Sequence, residues 1–141
     1  IQAFYRASMA GVRVDLIIRG ICGLRPGVPG VSENVQVRSI VGRFLEHTRV
    51  YYFEHAGNPE IYLGSADIMQ RNMFHRVEVC FPVEDKKIRK RIIHDLDCYL
   101  QDNGQAWLLQ ADGSYRRAER AEGEAPFSAQ QFLLEEMAES A

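Results

Sequence analysis

A segment crowded with glycine and proline constrains this chain more than any other feature. GICGLRPGVPGVSENV places four glycines and two prolines between residues 20 and 30, which excludes regular secondary structure and predicts a constrained loop. Before it, VRVDLIIRGI at residues 12–21 is almost continuously apolar, as a strand buried on both faces is. After it, VQVRSI at residues 35–40 alternates and predicts a short strand. The loop therefore separates two predicted strands.

Three more strands are predicted further along the chain. RVYYFE and EIYLGSA predict strands near 49–54 and 60–64, joined by the turn-forming tetrapeptide AGNP. HRVEVCFPV predicts a strand near 75–82. Before these strands, GRFLEH at residues 42–47 predicts one or two helical turns.

The helices are predicted by a change of period. IQAFYRASMAG opens the chain as a helix that ends at a glycine, and a second helix is predicted over 85–102. Asp85 is its predicted N-cap and Asn103-Gly104 its predicted stop. Its apolar stripe consists of Ile88, Ile92, Leu96, Tyr99 and Leu100. The lysines and arginines on its other face predict an ordinary solvated surface in preference to a phosphate site.

The last third of the chain is simpler. AWLLQADGSYRRA predicts a hairpin over residues 106–117 because Asp-Gly separates two short extended pieces. RAERAEGEA is charged and predicts a linker or mobile turn, and PFSAQQFLLEEMAES predicts a terminal helix. That helix places Phe132, Leu133 and Met137 on one face. We therefore expect one domain over residues 1–118, followed by a linker and C-terminal helix over 119–141.

The positive charge near the start of the chain is carried by arginine alone. Residues 1–50 contain seven arginines, no lysine and three acidic residues, so they carry +4 while the remainder carries −6. A guanidinium forms two parallel hydrogen bonds with phosphate or carboxylate, which favours an oxyanion ligand. Chance clustering on a solvated surface explains the same pattern.

The cysteines give no sign of a metal site or a disulfide. Cys22, Cys80 and Cys98 are odd in number, far apart and without a CxxC pair, so we interpret them as reduced core residues of a cytoplasmic protein. No apolar run reaches the ~20 residues that cross a bilayer, and no signal peptide is visible. Because the chain begins without Met, we expect a fragment of a longer protein.

A short motif begins at the first histidine. His47, Arg49 and Glu54 occupy the first, third and eighth places of one window, and GSAD follows at residues 64–67. This arrangement resembles the HxKxxxxD…GSxN signature of the phospholipase D superfamily. Arg49 stands in place of the signature's Lys, Glu54 in place of its Asp and Asp67 in place of its Asn.

The spacing also makes chemical sense. Residues two apart on a strand share a face, so His47 and Arg49 can address one phosphoryl group. The GSAD turn would bring Ser65 and backbone N–H groups toward the same oxyanion. Glu54 and Asp67 would orient the histidine or the arginines.

A longer resemblance follows from two blocks of sequence. FYRASMAGVRVDLIIRGICGLRPGVPGVSENVQVRSIVGRFLEHTRVYYF and IYLGSADIMQRNMFHRVEVCFP resemble the carboxy-terminal domain of bacterial polyphosphate kinase, the class that synthesises long chains. The similarity covers most of residues 4–83 and places a helix at 85–102. It implies an α/β fold in a single domain, with a phospholipase D-like mixed β-sheet flanked by helices. We expect the five predicted strands, near 12–19, 35–40, 49–54, 60–64 and 75–82, to form this one sheet.

The resemblance also implies a reaction. Polyphosphate kinase transfers the γ-phosphate of ATP reversibly to polyphosphate through a phosphohistidine, which lies in a preceding domain absent from this chain. His47 matches the family's second essential histidine, and Arg19 and Arg76 match residues that contact the nucleotide phosphates. The Mg²⁺ ligands and the main adenine-stacking residue belong to the missing domain, so the isolated chain is expected to be inactive or nearly so.

Each assignment has a structural alternative. His47, which would accept or donate a proton near neutral pH, could instead be a structural histidine bonded to a neighbouring turn. Arg19 and Arg76 could form ordinary ion pairs with nearby carboxylates, namely Asp15, Asp67 or Glu78. The aromatic run Tyr51, Tyr52 and Phe53 is expected to be core and not a base-stacking platform.

Two other functions stay open at this stage. One is a phospholipase D-like phosphodiesterase or nuclease, which would need symmetric dimerisation to supply its second half-site. The other is a non-catalytic module that binds polyphosphate. The kinase reading predicts ATP, ADP and polyphosphate as ligands, the preceding domains as partners and a homo-oligomeric full-length enzyme. It predicts no nucleic-acid partner and a cytoplasmic location, with membrane association of the full-length enzyme left open.

Overall fold

A computed structural model describes residues 1–139, which form two compact units. Unit 1 consists of Ile1–Glu46 together with the chain from Leu96 onward, and unit 2 is His47–Asp95. In chain order the elements are α1 Gln2–Met9, β1 Val14–Ile17, β2 Val35–Ile40, β3 Val50–Phe53, β4 Glu60–Gly64, α2 Gln70–His75, β5 Cys80–Pro82, α3 Lys86–Gln101, β6 Ala106–Leu109, β7 Tyr115–Arg117 and α4 Ala129–Glu139.

Unit 1 is built on a four-stranded mixed sheet in the order β1-β2-β6-β7. β1 runs parallel to β2, whereas β2 with β6 and β6 with β7 are antiparallel. Leu24 from the loop packs with Val35 and Val37 of β2 in the core, and α1 contributes Phe4 and Tyr5. The loop is therefore part of the core structure of unit 1.

A buried serine shapes that loop. Ser32 is fully buried, and its hydroxyl donates to the Arg25 carbonyl at 2.6 Å while accepting the Val28 N–H at 3.1 Å. Gly27 and Gly30 adopt φ of +68° and +72°, a region that favours glycine. These hydrogen bonds satisfy backbone groups of the loop that have no neighbouring strand to pair with.

Unit 2 contains an antiparallel sheet in the order β3-β4-β5. Ile61 on the central strand is its most deeply buried apolar side chain, at 1% exposure. The short helix α2 follows the GSAD turn, and Asp85 caps α3 by accepting the N–H groups of Lys87 and Ile88 at 2.7 and 3.0 Å.

The α/β class, the mixed strand pairing and the flanking helices are confirmed. The hairpin over 106–117 forms at a sheet edge as predicted, and Asp85 is the N-cap. The expectation that the five predicted strands share one sheet is wrong. β1 and β2 pair with the hairpin, whereas β3, β4 and β5 pair among themselves. No helix within residues 1–139 is both long and apolar enough to span a bilayer.

Two local predictions are also wrong. Residues 42–47 form no helix, because the side-chain amide of Gln130 bonds both the N–H and the carbonyl of Phe44 and occupies the groups that a helix needs. Residues 75–79 are not a strand: His75 ends α2, and only Cys80–Pro82 enters the ladder.

Burial differs from expectation at three places. Tyr52 and Phe53 are 38% and 57% exposed, so this end of β3 is not core. The cysteines are free, but Cys80 is exposed and is not a core residue. On α4 only Leu133 of the predicted face is buried, while Phe132 and Met137 are exposed. The predicted helix extended to residue 140, which lies outside the described residues.

Candidate functional site

A chain of hydrogen bonds links the histidine of the motif to its arginine and to an aspartate. Arg49 NH1 lies 3.1 Å from His47 Nδ1 and donates to the His47 carbonyl at 3.0 Å. Arg49 Nε donates to Asp67 Oδ1 at 3.1 Å. His47 and Arg49 are thus in direct contact, as expected, but both precede β3, so the prediction that a strand places them on one face is wrong.

The arginine fixes the chemical form of the imidazole. A guanidinium has only donors, so His47 Nδ1 accepts the bond and the neutral ring carries its N–H at Nε2. The side chains of Arg49 and Asp67 are 18% and 31% exposed, so this pair is partly shielded from water. His47 itself is exposed.

The GSAD turn is packed against β3. A Cβ on Gly64 would lie 3.2 Å from Cε2 of Tyr51, so this ring leaves room for little more than glycine. The Tyr51 hydroxyl donates to the Ala66 carbonyl at 3.1 Å, and burial is the main cause that raises the pKa of Tyr51. Gly64 N–H donates to the Arg49 carbonyl at 3.1 Å. These contacts hold the turn that carries Asp67.

Ser65 is engaged within unit 2. Its N–H donates to the Val79 carbonyl at 2.9 Å, and its hydroxyl accepts the Val79 N–H at 3.0 Å. The same hydroxyl donates to the Glu78 carboxylate. The predicted contact of Ser65 with an oxyanion stays a prediction.

Arg76 follows the last residue of α2 in extended backbone, with φ −129° and ψ 155°. The side chain is exposed and makes no hydrogen bond or ion pair with any other residue in 1–139. Two carboxylates considered as its partners are engaged elsewhere, since Asp67 pairs with Arg49 and Glu78 accepts from Ser65. Arg76 therefore presents an uncompensated cation.

Arg19 lies just beyond β1 in unit 1. Its NH1 donates at 3.0 Å to the carbonyl of Glu46, the residue that precedes His47 in the chain. Glu46 is held further by the Tyr99 hydroxyl at 2.8 Å and by Gln130 Nε2 at 2.6 Å. The sequence analysis did not identify Glu46 and Gln130. These two residues bond each other across 84 positions of the chain, and neither belongs to a motif.

Glu54 is the remaining residue of the motif, and its contacts differ from the expected ones. Glu54 accepts the Tyr52 hydroxyl, two residues away on the same strand end, and is not bonded to His47. Asp67 does orient Arg49. That His47, Arg19 and Arg76 bind one anion stays a prediction.

Comparisons with known proteins give a consistent result. The family model described as polyphosphate kinase C-terminal domain 2 matches residues 1–130. The polyphosphate kinase of Pseudomonas aeruginosa is 57% identical over 138 residues, covering 98% of this chain and 20% of that protein. The polyphosphate kinase of Xylella fastidiosa is 54% identical over 138 residues, covering 97% of this chain and 20% of that protein.

Among solved structures, polyphosphate kinase from Porphyromonas gingivalis superposes with a TM-score of 0.89 at 38% sequence identity. The match covers 98% of this chain and 22% of that one. The chain thus spans about a fifth of the length of the relatives that it matches.

Proposed function

The chain belongs to the polyphosphate kinase family, as its C-terminal domain 2, and from this premise we propose that it forms one wall of a phosphotransferase site. In that site the γ-phosphate of ATP is transferred reversibly to polyphosphate. The phosphohistidine that carries the phosphoryl group would lie in a preceding domain of the same enzyme, which acts as a homo-oligomer. This chain would contribute His47, Arg19 and Arg76.

The observation that carries the proposal is the hydrogen-bond chain from Asp67 through Arg49 to His47. Phosphoryl transfer passes through a transition state with charge spread over its oxygens, so a protein contributes mainly positioning and fixed cations. Asp67 and the His47 carbonyl hold the Arg49 guanidinium from two sides. A guanidinium held in this way needs no reorganisation when charge develops nearby.

Each residue has a distinct task in this proposal. Neutral His47 donates a hydrogen bond from Nε2–H to a phosphoryl oxygen. Arg76, which has no partner of its own within residues 1–139, supplies a cation for the nucleotide phosphates. Arg19, whose NH1 donates to the Glu46 carbonyl, supplies a second cation.

Magnesium is expected to accompany ATP, and it would help to neutralise the phosphate charge. The two carboxylates beside the motif are poor candidates for its ligands, because Asp67 is bonded to Arg49 and Glu78 to Ser65. We propose that the Mg²⁺ ligands lie in the preceding domain.

The test is a histidine comparison in a full-length polyphosphate kinase that carries this domain. His47→Ala should lower polyphosphate synthesis by at least roughly 100-fold while far-UV and near-UV circular dichroism stay unchanged. His55→Ala is the matched control, since His55 is an exposed histidine paired with Glu60 at a hairpin tip. Normal synthesis by the His47 variant would refute the role assigned to it.

Arginine variants test the cationic part of the same proposal. Arg19→Ala and Arg76→Ala should each raise KM for ATP by roughly tenfold or more, because each removes charge-assisted bonds to phosphate. Arg13→Ala is the control, since Arg13 forms an exposed ion pair with Asp15. An unchanged KM in both site variants would contradict the proposal.

Assays on the 141-residue chain and on the full-length site variants separate the two other functions. Sustained hydrolysis of a generic phosphodiester by the 141-residue chain would favour the phosphodiesterase reading. Polyphosphate binding that weakens sharply with salt, together with normal synthesis by every site variant, would favour a module that only binds the polymer.

A further inference from the structure

The segment that carries Arg76 lies outside the regular structure of unit 2. α2 ends at His75 and β5 begins at Cys80, so residues 76–79 connect them without ladder pairing. The last ladder pair of β4 with β5 joins Gly64 to Cys80. Val77 is fully exposed. The position of Arg76 therefore depends on how this short segment is attached.

Ser65 supplies that attachment with three hydrogen bonds. Its N–H donates to the Val79 carbonyl at 2.9 Å, and its hydroxyl accepts the Val79 N–H at 3.0 Å. The hydroxyl proton goes to the Glu78 carboxylate. Together these bonds extend the pairing of β4 and β5 by one residue and stop two residues short of Arg76.

We propose that Ser65 and Glu78 are positioning residues that hold Arg76 for the nucleotide phosphates, and that Ser65 does not bind the phosphate itself. This inference rests on the proposed function, since it assigns a purpose to the placement of Arg76. In this proposal the serine of the GSAD turn holds the residue that binds the phosphate, instead of binding the phosphate itself.

Proton counting favours positioning over direct binding. A serine hydroxyl has one proton to donate, and the Ser65 proton is committed to Glu78. A phosphate oxygen is an acceptor and needs a donor, so Ser65 could bind it only by releasing the carboxylate. The carboxylate would then lose its partner and also approach an anion of like charge.

The side chain of Arg76 has no other anchor. No hydrogen bond or ion pair of its guanidinium occurs within the described part of the chain, so its placement is set by its backbone. A binding group is effective when its supporting residues are themselves fixed. The bonds of Ser65 to Glu78 and Val79 are the nearest side-chain support that the segment has.

The same serine is also close in sequence to the other half of the site. Asp67 lies two residues after Ser65 and orients Arg49, which in turn contacts His47. The GSAD turn thus connects the segment of Arg76 to the hydrogen-bond chain of His47. Displacement of the turn would separate two groups of charges that the reaction needs together.

A double-mutant cycle tests the inference in a full-length polyphosphate kinase that carries this domain. Ser65→Ala should raise KM for ATP by roughly three- to tenfold and lower kcat by less, since a displaced cation weakens nucleotide binding first. In an Arg76→Ala background the same change should alter KM by less than about twofold, because no guanidinium is left to position.

Three further variants sharpen the cycle. Ser65→Thr keeps the hydroxyl and should recover most of the loss. Glu78→Ala should resemble Ser65→Ala in KM and in its dependence on Arg76. Ser114→Ala is the matched control: its hydroxyl also donates to a carboxylate, Asp112 at 2.6 Å, in an exposed turn of unit 1, and its kinetic constants should equal those of the parent.

The outcomes distinguish this inference from the function on which it rests. If Arg76→Ala leaves KM for ATP unchanged, the proposed role of Arg76 fails. If Arg76→Ala weakens ATP binding but the effect of Ser65→Ala multiplies with it, Ser65 acts independently and the positioning role is overturned. A Ser65→Ala variant with the parent's KM overturns it as well.

Discussion

The two units use their polar side chains in opposite ways. In unit 1, Asp102 is 2% exposed, and its two carboxylate oxygens accept four backbone N–H groups. Gln130, at 6% exposure, likewise bonds the backbone of Phe44. In unit 2 the polar chain of His47, Arg49 and Asp67 is at least partly exposed and joins mainly side chain to side chain. These buried polar groups of unit 1 thus fix its backbone, whereas the polar chain of unit 2 ends at an exposed histidine.

The difference is clearest where the chain passes from one unit to the next. Glu46, the last residue of this part of unit 1, is bonded by Arg19, Tyr99 and Gln130. His47, the next residue, is exposed. A residue fixed from three elements therefore precedes the histidine that we assign to catalysis. Substitutions that disturb the buried polar groups of unit 1 should act on stability, and those in the polar chain of unit 2 on activity.

Asp102→Ala should produce the largest effect. The N–H groups of Gln105, Ala106 and Ala129 would lose this acceptor, whereas the Gly104 N–H keeps its bond to the Phe127 carbonyl. Each unsatisfied group costs about 1–3 kcal/mol, so we expect a loss of about 4 kcal/mol of local stability. Native-state hydrogen exchange at the amides of Gln105, Ala106 and Ala129 measures it. Asp112→Ala is the control, because Asp112 bonds Ser114 in an exposed turn. Equal losses in the two variants would contradict the comparison.

Arg49→Ala should give the opposite signature. Removing a fixed cation from a phosphoryl-transfer site costs on the order of 100-fold in kcat/KM, while loss of a partly exposed ion pair costs at most about 1 kcal/mol of stability. Arg49→Lys keeps the charge, but an ammonium group cannot bond His47 and Asp67 together as the planar guanidinium does. This variant should therefore retain intermediate activity. Steady-state kinetics and thermal unfolding check both.

Arg91→Ala provides the control for the Arg49 variants. Arg91 pairs with Asp95 at 2.8 Å, and both side chains are more exposed than those of Arg49 and Asp67. It should change neither activity nor the unfolding midpoint appreciably. A large loss of stability without loss of activity in Arg49→Ala would show that the polar chain of unit 2 is structural.

Gly42→Ala should produce a loss of stability of intermediate size in unit 1. A Cβ at this position would collide with Oε1 of Gln130 and lie 2.5 Å from Oε1 of Gln105. Because the Gln130 amide is bonded to Phe44, its displacement breaks bonds, and overpacking of this kind costs about 1–3 kcal/mol. Gly20→Ala is the control, since nothing lies within 4 Å of its Cβ. Hydrogen exchange at the Phe44 amide should rise only in the first variant.

The smallest effect is expected at the β3–β4 hairpin tip. The hydrogen bond from His55 is the main cause that lowers the pKa of Glu60 below its ordinary value of 4.5, and the Tyr62 hydroxyl adds to it. A lowered carboxyl pKa contributes stability above the ordinary value, and this contribution is lost as pH falls through the lowered pKa. His55→Ala should therefore raise the Glu60 pKa toward 4.5 in a carboxyl ¹³C titration. An unchanged titration would show that the contact has no energetic effect.

Local signals in the sequence predicted local structure well. The Asp85 cap, the Asp-Gly hairpin and the strand over 60–64 depend on neighbours within a few residues, and all three occur as expected. The non-helical conformation around Phe44 could not be predicted in this way, because its bonding partner Gln130 lies 86 residues further along the chain. The division into two sheets likewise depends on pairings between distant strands.

The candidate site shows the same division. The motif correctly grouped His47, Arg49 and Asp67, although His47 and Arg49 precede β3 and Asp67 follows β4, so none of them lies on a strand. The partnership of Ser65 with Glu78 has no sequence signal, because the predicted strand over 75–82 gave Glu78 a different environment. Contacts between residues of one motif are thus predictable, whereas the contacts that hold the motif depend on the tertiary fold.

The most direct test of the account is a crystal structure of a full-length polyphosphate kinase carrying this domain with a non-hydrolysable ATP analogue bound. The decisive quantities are the distances from the phosphate oxygens to the side-chain nitrogens of His47, Arg19 and Arg76. A side-chain nitrogen of each residue should lie within hydrogen-bond distance, about 2.7–3.2 Å, of those oxygens. A bound analogue whose phosphates contact none of the three residues would contradict it.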